Sequence, residues 1–290
     1  MELRLRDGRV LCFTDYGDPS GVPVFFLHGL PSCRLEASAA SEAAHQGGVL
    51  LISVDRPGFG RSSFRPYRPL ARFADDIAEV ADRRSLDRFA AIGVSAGGPF
   101  ALAVAAALPD RVTAVATVGG FFTPKAAGQI SGMNVELRAS LFIARSLPWM
   151  MRPLFALTAR AVNRTDTRFL QALARRSADP DRELLRDESV RSHLLAVFRE
   201  AFARGARGAA WEQRLLVQNW GFMPGAINAP VTVWQGGLDR NVPPDLGRAL
   251  ASWVPRSHLE FLEDEGHLSL IHNRIGDALR GVARGFQRGS

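Results

Sequence analysis

The chain is almost without lysine: of its 36 basic residues, only Lys125 is not an arginine. Its two isolated cysteines, Cys12 and Cys33, supply neither a disulfide framework nor the clustered ligands of a zinc site, and both are expected as reduced structural thiols. Cys33 lies beside a loop assigned below to the active site, but Ser95 has the better claim on an activating histidine or helix N-terminus. No stretch reaches the roughly 20 apolar residues needed to cross a bilayer. The nearest, Phe100 to Leu108, stops at Pro109, Asp110 and Arg111. Charges at Glu2, Arg4, Arg6, Asp7 and Arg9 leave no apolar run for a secretory signal, so a soluble, cytoplasmic protein is expected.

What is present is apolar bulk. With 290 residues and 47% hydrophobic content, the chain sits at the upper edge of what one core supports, which favours one large domain with an insertion over two equal ones. The formal charge of +7 is uneven: residues 121–229 carry 16 basic against 9 acidic side chains, and the remainder carries 20 of each. An arginine-rich segment suits carboxylate or phosphate recognition, although a merely solvated face has the same composition. No aromatic interleaving or Cys/His framework accompanies the basic residues, so no nucleic-acid partner is expected.

The first 120 residues alternate apolar, β-branched runs with helical patterns, the signature of a mostly parallel sheet wrapped by helices. Strands are expected at Val10 to Tyr16, Val24 to Leu27, Leu50 to Val54, Phe89 to Gly93 and Val112 to Val118. Helices fall between them at Leu35 to Gln46, Ala71 to Leu86 and Ala96 to Leu108. Parallel strands buried on both faces read as continuous apolar runs, as VPVFFL, VLLISV and VTAVATV do. After Gly119 and Gly120 the strand pattern vanishes for about a hundred residues of helix-compatible sequence, too long for a structureless loop and therefore a helical insertion. Alternation then resumes with strand Val231 to Gln235, helix Pro244 to Trp253, strand Ser257 to Leu262 and a last helix from about Leu268 to Phe286. The expected division is a core of residues 1–120 and 230–290 with an inserted helical cap at 121–229.

Ser95 stands in G-V-S-A-G at a tight turn between an apolar strand and an apolar helix. Small residues two before and two after a serine, here Gly93 and Gly97, let strand and helix approach closely, and Pro99 fits the first helical turn. The turn lifts the hydroxyl above the sheet and aims a helix N-terminus at any oxyanion formed there. A serine needs a base. Of six histidines, His28 lies in a turn where packing and loop hydrogen bonds are the usual role, His45, His193 and His272 sit in helical patterns, and His258 opens a strand. His267 follows strand HLEFLE and turn EDEGH, at a strand's C-terminal end where catalytic loops collect. The carboxylate that orients it is assigned to Asp239, in GLDRNVP after strand VTVWQ. The loop GGFFTPK after Val112 to Val118 holds no acid, and Glu263, Asp264 and Glu265 are too close to His267 in sequence to reach round it easily.

These pieces together resemble the α/β-hydrolase fold from end to end: LHGLPS, DRPGFGRSS, GVSAGG, GLDRNVP and EGH, in the family order of nucleophile, acid and base. The stretch WEQRLLVQNWGF resembles the end of the cap in bacterial and plant hydrolase-like members. The resemblance implies a mostly parallel central sheet flanked by helices with an inserted cap. It also implies oxyanion N-H groups from Leu30, after the HG pair, and Ala96, after the nucleophile, with Pro31 fixing the loop. Asp55 in DRPGFGRSS is expected to bond loop amides. Ser95 stands where epoxide hydrolases and haloalkane dehalogenases use an aspartate, and the HGGG motif of some lipases and esterases is absent.

The expected activity is a serine hydrolase for a carboxylic ester, thioester or lactone, with no metal and no organic cofactor. The expected partner is a small-molecule substrate, anionic or carrier-linked if the insertion's charge is functional. Phe121, Trp220, Val242 and Leu268 are expected to border the substrate. Two other readings use the same residues: a cofactor-independent lyase, oxygenase or cyclase with His267 as base, and a ligand-binding module without turnover.

Overall fold

The computed structural model describes residues 1–123, 130–164 and 166–288, so Lys125 lies outside the described residues. Eight strands form one sheet in the order β1-β2-β4-β3-β5-β6-β7-β8. They are β1 (Glu2–Arg4), β2 (Val10–Gly17), β3 (Val22–Leu27), β4 (Val49–Val54), β5 (Phe89–Val94), β6 (Val112–Val118), β7 (Val231–Gly236) and β8 (Ser257–Leu262). β1 pairs antiparallel with β2 and β2 with β4, and every pairing from β4 to β8 is parallel. β1 escapes the sequence pattern because a three-residue edge strand reading Glu-Leu-Arg has no apolar run, as edge strands that avoid further pairing often lack one.

Alternation along each strand divides the core between two faces. Phe25, Leu27, Ile52, Phe89 and Ala91 meet α2 (Ala74–Arg83), α3 (Gly98–Ala107) and α10 (Pro244–Trp253) on one side. Val24, Phe26, Leu51, Ala90 and Ile92 meet α1 (Ser41–Gln46) and α11 (His267–Arg288) on the other. Burial on both faces is why the central strands read as unbroken apolar runs. Three expected helices begin as 3₁₀ turns, at Arg34–Ala40, Leu70–Phe73 and Ser95–Gly97, before α1, α2 and α3.

Between β6 and β7 the described chain is helical: α4 (Val135–Ser146), α5 (Met151–Arg164), α6 (Asp166–Arg176), α7 (Asp179–Leu184), α8 (Glu188–Ala201) and α9 (Arg207–Leu216). The inner faces of α4, α5 and α9 meet at Ala144, Met151 and Ala210. Among the described residues no helix is long and apolar enough to cross a membrane.

Candidate active site

The carboxyl ends of five adjacent parallel strands converge on one edge. The loop after β3 carries His28 to Ser32, that after β5 Ser95, after β6 Gly119, after β7 Asp239, and after β8 His267. Residues far apart in sequence therefore meet because their strands are neighbours.

Ser95 has φ +51°, a left-handed backbone unusual for a residue with a side chain. The surrounding backbone permits nothing bulkier: a methyl on Gly93 would strike the Gly97 carbonyl, and one on Gly97 the carbonyls of Leu27 and His28. Asp239 Oδ2 lies 2.7 Å from His267 Nδ1, while Oδ1 accepts the N-H groups of Asn241 and Val242 at 2.8 Å each. Those two amides fix the carboxylate, which fixes the imidazole. Burial favours a neutral His267, but the Asp239 charge and hydrogen bond outweigh it, with smaller help from Asp181 and Glu36, and the imidazole pKa rises above its ordinary 6.5. Among the described residues Ser95 Oγ makes no hydrogen bond to His267, a contact that in unliganded enzymes commonly tightens only with substrate.

Several residues of the site carry no signal in the sequence motifs. Gly119, with φ +56°, ends β6 beneath the imidazole, where a methyl would lie 3.2 Å from His267 Cε1 and 3.4 Å from Asp239 Oδ2. Asp181, buried in α7, reaches across from the insertion: Oδ2 accepts the His267 N-H at 3.0 Å and Oδ1 the Ser269 N-H at 2.9 Å. It thus supplies the N-terminal cap of α11, whose first residue is His267. Glu36 Oε2 accepts the Gly29 N-H at 2.7 Å and the Ser32 hydroxyl at 3.0 Å. Desolvation raises the Glu36 carboxyl, and those bonds partly offset it. An acid seven residues beyond the glycine of HG was the available clue to Glu36; nothing local marks Asp181.

The loop after β3 is held from beneath. Arg56, fully buried, donates to the carbonyls of His28 and Gly29 and pairs with Glu212 of α9 through Nε at 2.7 Å and Nη2 at 2.6 Å. His28 Nδ1 lies 2.8 Å from the Gly29 carbonyl, Nε2 accepts the Arg56 N-H at 3.3 Å and the ring packs on Phe59, while burial with the neighbouring Arg56 pushes its pKa well down. The Leu30 N-H has no acceptor among the described residues, unlike that of Gly29. Ala96 follows Ser95 at a helix start, where N-H groups lack intrahelical acceptors.

Asp55 accepts the amides of Arg34 at 2.7 Å and Arg61 at 3.0 Å, and the Arg34 guanidinium bridges it to Glu200 of α8. Cys33 is buried with its thiol on the Val197 carbonyl, and burial raises its pKa far above the ordinary thiol value. Of the four residues expected to border substrate, Phe121 donates its N-H to the Ser95 carbonyl at 2.9 Å, and Leu268 is half-buried next to His267. Val242 serves the Asp239 turn through its amide, and the Trp220 ring is committed to Phe122 and Phe222 with its N-H on Leu216. A groove of about 420 Å³ between α6, α7 and α8, bordered by Leu170, Leu185, Arg191 and Leu195, contains none of Ser95, Asp239 and His267. Among the described residues no cluster of three or more His, Cys, Asp or Glu side chains could hold a metal ion.

Comparison with known proteins agrees with this architecture. An uncharacterised hydrolase of Bacillus subtilis is 29% identical over 123 residues, and a proline iminopeptidase of Neisseria meningitidis is 30% identical over 125. Each match takes in 41% of this chain and spans 42% and 39% of the respective relative, about two-fifths of its length. A solved structure from the ammonia-oxidising thaumarchaeon Nitrososphaera gargenis, described in a study of carboxylesterases, superposes with a TM-score of 0.71 over 100% of both chains at 17% identity. The family profile of the alpha/beta hydrolase fold matches residues 22–273, and the chain belongs to that family.

Proposed function

We propose that the protein is a serine hydrolase that cleaves a carboxylic ester, thioester or lactone through an acyl-enzyme on Ser95. The observation that carries this reading is the closed Asp239–His267 hydrogen bond on strand ends adjacent to a left-handed Ser95. Ser95 Oγ attacks the carbonyl carbon and His267 takes its proton; the tetrahedral oxyanion is held by the amides of Leu30 and Ala96. The C-O or C-S bond then breaks, with the proton returned to the leaving group, and water repeats the sequence on the acyl-enzyme. Residues 121–229 act as a cap over the acyl or alcohol pocket, with Phe121 and Leu268 at its floor. Named esterases among the fold neighbours support the substrate class. The iminopeptidase relative leaves amide cleavage by the same steps as a subclass.

The test is a panel of esters varied in acyl chain and leaving group, with intact-mass detection of the acyl-enzyme and labelling by a phosphonylating reagent. Wild type is expected to turn over esters and to be labelled at Ser95, and Ser95→Ala to lose both nearly as completely as His267→Ala loses turnover, because a covalent triad acts as one unit. Substantial turnover by Ser95→Ala with none by His267→Ala would overturn the acyl-enzyme and favour base-only chemistry.

A further inference from the structure

The helical hairpin α4–α5 carries an outer surface that neither the fold nor the proposed reaction uses. Of the eight most exposed large apolar side chains among the described residues, five belong to it: Val135 at 70%, Phe142 at 65%, Leu147 at 40%, Trp149 at 70% and Leu157 at 64%. They are not scattered. In α4 positions 135, 138, 139, 142, 145 and 146 are exposed and follow the spacing of one helix face, so Val135 and Phe142 share it with Arg138 and Arg145; Glu136, also exposed, lies to the side of that face. In α5 the exposed face carries Arg152, Leu157, Arg160 and Arg164. The opposite faces of both helices pack against α9, so these exposed faces point away from the body.

The unpaired charge of this surface is of one sign. Residues 137–164 contain five arginines and no acid, and none of the five makes an ion pair with a described residue. Glu136, the acid that precedes them, is paired with Arg176 at 3.0 Å. A soluble face that is simply solvated does not need Trp149, Phe142 and Leu157 each more than 60% exposed, and an apolar interface for a second copy would set arginine against arginine. Nucleic acid would stack on Trp149 and Phe142 but gains nothing from Val135, Leu147 and Leu157. Aliphatic and aromatic side chains among long arginines with no acid match one surface: an anionic bilayer, which takes the apolar groups to the acyl boundary while guanidinium groups meet the headgroup phosphates. We propose that the α4–α5 face docks this protein on anionic phospholipid membranes.

The face is continuous with the proposed active site. The Asn134 N-H, at the start of α4, donates to the Arg240 carbonyl at 2.8 Å, and its side chain reaches Asn241 at 2.8 Å, in the loop that carries Asp239. Leu238, 45% exposed, and exposed Arg240 flank Asp239 and extend the same apolar and basic composition to that loop. Docking therefore brings the triad's edge of the sheet toward the lipid surface.

Vesicle co-sedimentation tests docking without any assay of turnover, so its result is separate from that of the hydrolase reading. The full chain is mixed with phosphatidylcholine vesicles, with and without phosphatidylglycerol. Two variants accompany it, one with Arg138→Gln, Arg145→Gln and Arg152→Gln, the other with Phe142→Ser and Trp149→Ser. All five positions are exposed, so unchanged melting temperatures are expected and are checked. Wild type is expected to pellet with the anionic vesicles only, less so with added NaCl. The triple arginine variant should lose about a hundredfold in partitioning, at about 1 kcal/mol for each basic residue near the surface. The aromatic variant should lose binding as well, and the wild-type tryptophan emission should shift to the blue. Absence of binding, equal binding to pure phosphatidylcholine, or binding that survives Phe142→Ser and Trp149→Ser would each overturn the proposal. Tighter binding to poly-glutamate than to the vesicles would overturn it in favour of an acidic protein partner.

Discussion

The site's chemistry turns on how two residues are held against their own preferences. Ser95 occupies a left-handed backbone that costs a residue with a Cβ about 1–2 kcal/mol, and the fold supplies it by pressing Gly93 and Gly97 against neighbouring backbone. His267 is buried, which alone would favour the neutral ring, yet the Asp239 carboxylate raises its pKa. A raised folded-state pKa means that protonated His267 stabilises the fold at pH below the unfolded value, and this contribution is lost as pH rises through the folded value. In the proposed reaction the base is the neutral ring, so the acid limb of kcat/KM is expected above the ordinary imidazole value of 6.5, measurable as a pH profile on a non-ionising ester. Asp239→Asn should leave the melting temperature nearly intact but cut kcat on the order of ten-thousand-fold through a misdirected imidazole. Greater damage from Asp264→Asn would show that the wrong carboxylate has been assigned.

Between elements, three acids of the insertion face inward, while Glu136, Asp179, Glu183, Asp187 and Glu188 are exposed. Asp181 caps α11 at His267, Glu212 neutralises Arg56 beneath the β3 loop, and Glu200 meets Arg34 beside it. Asp181→Asn is expected to lower the melting temperature modestly, by the loss of an N-cap charge worth about 1 kcal/mol. The same change should move the acid limb of kcat/KM to lower pH, because a negative charge that favours imidazolium is gone; an unmoved limb with a lowered melting temperature would reduce Asp181 to a structural cap. Glu212→Ala leaves a guanidinium buried without its partner, a loss of about 3–5 kcal/mol expected in denaturant unfolding. These contacts explain what could be read from the chain beforehand. Strands, the elbow at Ser95, Asp239 and His267 rest on local patterns, apolar runs and turn residues within a few positions of each other, and the sheet order then brings them together. Asp181 and His267 are 86 residues apart, Arg56 and Glu212 156, and Arg34 and Glu200 166. No periodicity or short motif encodes such pairs, because they depend on how the insertion seats on the sheet. The packing of Trp220, expected to border substrate, against Phe122 and Phe222 is likewise written in no local pattern.

Across the whole molecule, the inward turn of Asp181, Glu200 and Glu212 shifts charge in a way that net charge alone conceals. The core is balanced and the insertion carries the entire +7. Because Asp181, Glu200 and Glu212 are spent on the core, the solvent-facing side of the insertion is more basic than its composition. At physiological ionic strength this field reaches about 8 Å before it is screened, enough to bias the approach of a small charged substrate to the loop of Asp239 but not to govern its chemistry. On soluble short-chain esters, with no vesicles present, kcat/KM for a carboxylate-bearing ester is therefore expected to fall as NaCl is added while that of its neutral analogue stays nearly flat. The variant carrying Arg138→Gln, Arg145→Gln and Arg152→Gln should flatten the first curve without moving the second, since these side chains lie outside the triad and act only through the field. Parallel salt curves for the two esters in wild type would mean that the arginine excess plays no part in substrate capture, and its use would then have to be sought on a surface larger than a single ester.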